Sequence, residues 1–139
     1  MDKIPIYSPR QVSAGSFFGG PIALVYFLHN NFKRLGNNAA AAQTLLWGIL
    51  FNIALLGAMI LVPAKHFPHY VLPLAYSLAA QGIANAKQMK KEAIVDSPQF
   101  CFQSNWRVLG FTVAFLVGTV LLWFPIIFVL FQFHIINPN

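Results

Sequence analysis

Residues 108–139 read VLGFTVAFLVGTVLLWFPIIFVLFQFHIINPN and contain no Asp, Glu, Lys or Arg. An α-helix rises 1.5 Å per residue, so about 20 apolar residues cross the ~30 Å hydrocarbon core of a bilayer. The apolar residues run continuously here, whereas a membrane-spanning strand would alternate them with polar ones. The stretch therefore predicts a transmembrane helix over residues 106–131.

The whole chain shares this character. Of its 139 residues, 58% are hydrophobic and only 9% are charged, with nine Lys or Arg against three Asp or Glu and a net charge of +6. An ordinary soluble domain is roughly 25% charged. This composition excludes a soluble globular domain, a disordered chain and a disulfide-stapled secreted module, and it predicts an integral membrane protein.

Charged residues divide the chain into long uncharged runs, each of which suits one helix. The first run follows Ser8-Pro9-Arg10-Gln11, in which serine and glutamine can form a capping box and proline suits the first helical position. The predicted spans cover residues 9–29 (with a kink at Pro21), 38–62, 68–85 and 106–131. The expected fold is all-α, a single membrane domain over residues 1–139 built as a bundle of four transmembrane helices.

The distribution of basic residues predicts an orientation, because cytoplasmic loops are enriched in Lys and Arg. With four spans, one side of the membrane receives Lys33, Arg34, Lys87, Lys90, Lys91 and Arg107, and the other receives Lys3, Arg10 and Lys65. We therefore expect a cytoplasmic connection over residues 86–105, and both termini on the outside.

Small residues recur at four-residue spacing inside the first predicted span. Gly15 and Gly19 form one pair, and Ser16 and Gly20 form a second pair one residue further on. Such pairs allow two helix backbones to approach closely. They predict a tight helix–helix contact, and we favour a contact within this chain over a contact between two chains.

Polar side chains are scarce at the depth of the predicted spans, and no ionisable group lies there. Asp2, Glu92 and Asp96 all fall in the tail or the connections, which argues against a proton pump or a cation-coupled carrier. The candidates for buried polar residues are Asn52, Ser77, Gln81 and Thr119, together with Thr112. We interpret them as interhelical hydrogen-bonding groups in preference to a substrate site.

The sequence carries no signature of catalysis, of a cofactor or of a metal centre. It has no nucleophile elbow, zinc-protease motif, phosphate loop or dinucleotide fingerprint. His66 and His69 lack further ligands nearby, and the single cysteine, Cys101, has no partner for a disulfide within the chain. We therefore expect that the protein is not an enzyme. We also expect no nucleic-acid binding, since the basic residues do not form one continuous patch in the predicted topology.

Four segments carry a resemblance to known proteins: residues 7–12 (YSPRQV), 17–21 (FFGGP), 31–36 (NFKRLG) and 104–110 (SNWRVLG). In these segments the chain resembles a group of small bacterial membrane proteins. The resemblance implies a bacterial inner membrane and four helices, but no activity, ligand or functional residue.

Taken together, the residues favour a non-enzymatic membrane protein. We expect it to be surrounded by membrane lipids and to contact another membrane protein or a second copy of itself. An accessory subunit of a membrane complex and an immunity-type protein both fit this description. The alternative is a small channel or transporter subunit that forms a polar-lined pore on oligomerisation.

Overall fold

The computed structural model describes residues 2–61 and 70–133. Helices account for 81% of these residues, and the chain is all-α apart from one short two-stranded ladder. The elements in chain order are β1 (Ile4–Ile6), α1 (Pro9–Arg34), α2 (Asn38–Leu61), α3 (Val71–Lys87), α4 (Lys91–Val95), β2 (Phe100–Phe102) and α5 (Asn105–Gln132). Of the described helices, α1, α2 and α5 are long and apolar enough to cross a membrane.

The predicted helices over residues 38–62 and 106–131 are confirmed as α2 and α5, within a residue at each described end. The prediction over residues 68–85 corresponds to α3, which has 17 residues and continues to Lys87. Residues 62, 68 and 69 lie outside the described part of the chain, as do His66 and Lys65.

The start of α1 is the predicted capping box. Gln11 N donates to Ser8 Oγ at 3.3 Å, and Ser8 N donates to Gln11 Oε1 at 3.0 Å. Two of the amide groups that a helix leaves unpaired at its N-terminus are satisfied in this way. Pro9 occupies the first helical position, where its missing N–H removes no hydrogen bond.

The helical conformation of α1 is interrupted at Gly20, which has φ 85° and ψ −176°. Residues with a Cβ rarely adopt a positive φ of this kind, so the break depends on glycine. Pro21 follows immediately and starts a new helical segment, again at a position that needs no N–H. The two segments are called here the first arm (residues 9–19) and the second arm (residues 21–34).

The two arms fold back on each other. A straight helix of 26 residues would separate its ends by about 39 Å. Instead, the Asn31 side chain forms hydrogen bonds of 2.8 and 2.9 Å with the backbone of Tyr7, and Arg34 donates to the Pro5 carbonyl. The prediction of one helix over residues 9–29 with a kink at Pro21 is therefore corrected: α1 is a helical hairpin whose tip is Gly20-Pro21.

The hairpin lies at the centre of the fold, with α2, α3 and α5 each packed against it. Small or aromatic residues make these contacts: Gly48 on α2, Ala80 and Ala84 on α3, and Phe111 and Phe115 on α5. Because lipid tails are as apolar as the helix surfaces, close van der Waals packing of this kind is a main source of helix association in a bilayer.

The N-terminal segment joins the connection between α3 and α5. β1 pairs in parallel with β2, with Ile4 opposite Phe100 and Ile6 opposite Phe102, and Lys3 Nζ donates to the Ser97 carbonyl at 3.0 Å. This pairing places eight basic residues at one end of the molecule, called here the basic end: Lys3, Arg10, Lys33, Arg34, Lys87, Lys90, Lys91 and Arg107. The expectation that Lys3 and Arg10 lie opposite the connection is thus wrong, because the hairpin returns the chain to the side on which it started.

Candidate functional site

The interior of the hairpin accommodates the first pair of predicted small residues. A Cβ built on Gly15 would lie 2.3 Å from Cε2 of Phe27, and one built on Gly19 would lie 2.7 Å from Cβ of Ala23 and 3.1 Å from the Thr112 carbonyl oxygen. Carbon atoms pack at about 3.5–4.0 Å, so neither position has room for a side chain. Gly15 and Gly19 therefore bring the two arms together, and Gly19 also brings the first arm against α5.

The second pair has a different environment. Ser16 is fully buried and donates a hydrogen bond of 2.6 Å to the Val12 carbonyl in its own arm. Gly20 forms the hairpin tip, where a built Cβ would lie 3.2 Å from Oγ1 of Thr119 on α5. Thr119 lies 14 residues beyond the start of α5, about 21 Å along the helix. The hairpin therefore ends well short of the far end of α5.

A buried polar cluster closes the hairpin at the basic end. Besides its bonds to Tyr7, the Asn31 side chain donates to Oε1 of Gln88 at 2.9 Å, and Gln88 donates in turn to the Leu28 carbonyl at 2.9 Å. Asn31 is 1% exposed. This cluster joins the N-terminal segment, the second arm and the end of α3, so it holds three separate parts of the chain in register.

A second polar contact ties the first arm to α5. The Gln11 side-chain amide donates to the Gln103 carbonyl at 2.7 Å and to Oδ1 of Asn105 at 2.8 Å. Of the four segments singled out in the sequence, three meet at the basic end, since residues 7–12 contact both Asn31 and the start of residues 104–110. Residues 17–21 instead include the hairpin tip. Sequence reasoning identified Gln11 only as a capping residue and assigned no contact to Asn31. The long-range partners of both side chains left no local signal.

The four predicted buried polar residues do not converge. Ser77 is buried and bonds to the Leu74 carbonyl within α3, whereas Gln81 is half-buried on the same helix. Asn52 donates to the Gly48 carbonyl within α2, and its Oδ1 has no partner among the described residues; the same holds for Oγ1 of Thr119 on α5. Because α2, α3 and α5 are arranged around α1, these side chains do not line a common cleft.

Several apolar surfaces are exposed among the described residues, and two of them are concave or carry small residues. One is a cleft of about 810 Å³ between α2 and α3, floored by the second arm. The other is the face of α5 that points away from the hairpin, on which Gly110, Ala114 and Gly118 are all exposed. A Cβ built on Gly110 or Gly118 would meet no atom within 4 Å. The four-residue spacing of these three residues is a signal that the sequence already contained, and sequence reasoning missed it.

The described residues offer little for acid–base or metal chemistry. They contain no group of three or more His, Cys, Asp and Glu side chains that could hold a metal ion. Asp2, Glu92 and Asp96 are all exposed at or near the basic end, and Cys101 is a free, partly exposed thiol next to β1. Within the described part of the chain, the features available for binding are therefore apolar surfaces and basic side chains.

Comparison with known proteins adds no relative: no family, no curated protein and no solved structure matches this chain.

Proposed function

We propose that this chain is a non-enzymatic protein of the bacterial inner membrane that acts through helix–helix contacts with another membrane protein or a second copy of itself. An accessory subunit or an immunity-type protein would work in this way. The observation that carries the proposal is the exposed stripe of Gly110, Ala114 and Gly118 on α5, called here the α5 stripe.

The sequence favoured a contact within this chain for Gly15 and Gly19, so we assign the contact with a partner to the α5 stripe instead. Those two glycines are occupied by the hairpin itself, whereas the α5 stripe has no partner among the described residues. Three small residues at successive four-residue intervals leave a shallow groove along a helix, into which another helix can pack closely. The opposite face of α5, with Val108 and Thr112, is already buried against the hairpin, so α5 would bridge the hairpin and a partner.

We further propose a topology of three crossings, by α2, α3 and α5, with the hairpin entering and leaving the membrane on the same side. The 17 residues of α3 reach the lower limit for a crossing. All eight described Lys and Arg residues lie at the basic end, which favours that end as cytoplasmic. This topology replaces the expected four crossings, and it puts residue 3 inside and residue 132 outside.

Co-purification from native membranes tests the proposed function. We expect Gly110→Leu with Gly118→Leu to abolish recovery of the partner, or of a differently tagged second copy, because the larger side chains hold the helices apart. Gly82→Leu on α3 is the matched control, since Gly82 is also exposed with no atom within 4 Å of a built Cβ. If both variants recover the same proteins as the parent, the α5 stripe is not the interaction surface.

The alternative function is a channel or transporter subunit whose pore forms on oligomerisation. The unpartnered Oδ1 of Asn52 and Oγ1 of Thr119 support it, because polar atoms at membrane depth are expensive unless they are bonded or hydrated. Ser77 and Gln81 would have to contribute from neighbouring copies. Purified protein in liposomes distinguishes the two functions: solute or ion flux that is lost with Asn52→Leu favours the pore, and an absence of flux favours the contact role.

A further inference from the structure

The cleft between α2 and α3 exists because both helices pack on the second arm of α1 while meeting each other at few points. Gly48 of α2 approaches Val25 closely, and Ala80 of α3 is fully buried. Across the cleft, the rings of Phe51 and Tyr76 meet edge to face with centroids 6.2 Å apart. Small side chains, including Ala75 and Ala79, line much of the remaining wall and leave the space open.

The cleft has the dimensions of a lipid chain. Its lining on α2 extends from Ala40 to Leu55, which is about 22 Å along the helix axis. One leaflet contributes about 15 Å of hydrocarbon, so a whole acyl chain fits along this length.

Among the described residues, most of the polar groups that line the cleft lie at one end, and Tyr76 adds a hydroxyl part-way along α3. Leu55 and Leu72 line its far end, whereas Asn37, Gln43, Thr44 and Lys87 line the end that opens at the basic end. Among the described residues, the Lys87 ammonium group forms no hydrogen bond or salt bridge. An apolar channel with a positive charge at its mouth matches an amphiphile with a negatively charged head.

We propose that the cleft binds one anionic phospholipid, with an acyl chain between α2 and α3 and the phosphate near Lys87. The remaining polar side chains at the mouth would lie at the depth of the headgroup. The Phe51–Tyr76 pair favours a flexible chain over a rigid helix, because a helix could enter only by separating the two rings. This site is separate from the α5 stripe, which lies on another helix.

Fluorescence quenching tests this proposal, because Trp47 lines the cleft. Trp47 is also 68% exposed and meets lipid outside the cleft, so the readout is the difference in quenching between two lipids. The parent for the test carries Trp106→Phe and Trp123→Phe, so that Trp47 is the only tryptophan. It is reconstituted in phosphatidylcholine vesicles that contain increasing fractions of brominated phosphatidylglycerol or, separately, brominated phosphatidylcholine. We expect Trp47 to be quenched more strongly by the brominated phosphatidylglycerol.

Two substitutions in this parent separate the headgroup contact from the chain contact. Lys87→Gln should lower the binding ratio of phosphatidylglycerol to phosphatidylcholine about fivefold, the effect of one basic residue at a membrane surface. Lys91→Gln removes a charge at the same end but outside the cleft lining, and should leave the ratio nearly unchanged. Ala79→Leu fills the cleft and should reduce the quenching by both lipids.

Equal quenching by the two lipids in the parent would overturn the proposal. Equal effects of Lys87→Gln and Lys91→Gln would also overturn it, because they would indicate that the lipid responds to the total surface charge and not to Lys87. Equal quenching by the two lipids together with cross-linking of position 79 to a polypeptide would show that a protein occupies the cleft. The variants of the α5 stripe should leave Trp47 quenching unchanged, so failure of the lipid site and failure of the proposed contact function are distinguishable.

Discussion

Replacing Gly15 with alanine tests the hairpin directly. A Cβ at this position would lie 2.3 Å from Cε2 of Phe27, more than 1 Å inside the normal contact distance of about 3.5 Å. Phe27 cannot easily move away, because it is fully buried with its ring centroid 4.9 Å from that of Tyr7 and 5.6 Å from that of Tyr26. Overpacking of this kind costs about 1–3 kcal/mol.

The sign of the effect distinguishes the hairpin from a straight helix. Alanine is favoured over glycine in a helix by about 0.5–1 kcal/mol, which offsets part of the steric cost in the hairpin. We therefore expect Gly15→Ala to lower the free energy of unfolding by up to about 2.5 kcal/mol. In a straight helix, Gly15 and Phe27 would lie about 18 Å apart, and the same substitution would be neutral or stabilising.

The measurement is unfolding in mixed detergent micelles, followed by circular dichroism, with a double-mutant cycle. Gly82→Ala is the control, since its added methyl group meets no atom within 4 Å. Phe27→Leu makes space for the alanine, so Gly15→Ala should cost less in that background, by at least about 0.5 kcal/mol of coupling. A Gly15→Ala variant that is as stable as the parent and uncoupled from Phe27 would refute the hairpin.

Two further predictions concern the basic end. Asn31→Leu leaves the buried backbone N–H and carbonyl of Tyr7 without partners and should lower the free energy of unfolding by about 2–4 kcal/mol, measured in the same micelles. Asn30→Leu is the control and should cost much less, because the Asn30 side-chain oxygen has no hydrogen-bond partner among the described residues. An impermeant maleimide should label Cys101 in the parent, and Lys3→Cys in a Cys101→Ser background, from the same face of sealed membrane vesicles. Gln132→Cys in the Cys101→Ser background should be labelled from the other face. Labelling of positions 3 and 101 from opposite faces would contradict the proposed topology.

The hairpin changes which surfaces are available for function. Gly15 and Gly19 could have formed a partner-binding face on a straight helix, but the structure uses them to bring the two arms together. The hairpin ends near Thr119, so the remainder of α5 continues beyond it. The outer face of α5 and the cleft between α2 and α3 are not filled by these contacts, and they are the two surfaces that we propose for interaction with other molecules.

The sequence alone determined the membrane class, the bounds of α2 and α5, and the start of α1. Each of these depends on local properties: the length of an uncharged run, or the three-residue spacing of Ser8 and Gln11. Pro21 also marked a kink in the first helix, whereas Gly20 was predicted only as a helix-packing residue. Their local chemistry is equally compatible with a kink and with a reversal, so the sequence did not decide between the two.

Only the tertiary structure decided that the first helix turns back and that Lys3 and Arg10 join the other basic residues. The evidence consists of contacts between distant residues: Tyr7 with Asn31, Gly15 with Phe27, and β1 with β2. A helix-forming sequence specifies its own 1.5 Å rise but not the direction in which the next segment leaves a flexible glycine. That direction is set by the packing of the two arms and by the hydrogen bonds of Asn31, which exist only once the chain has folded.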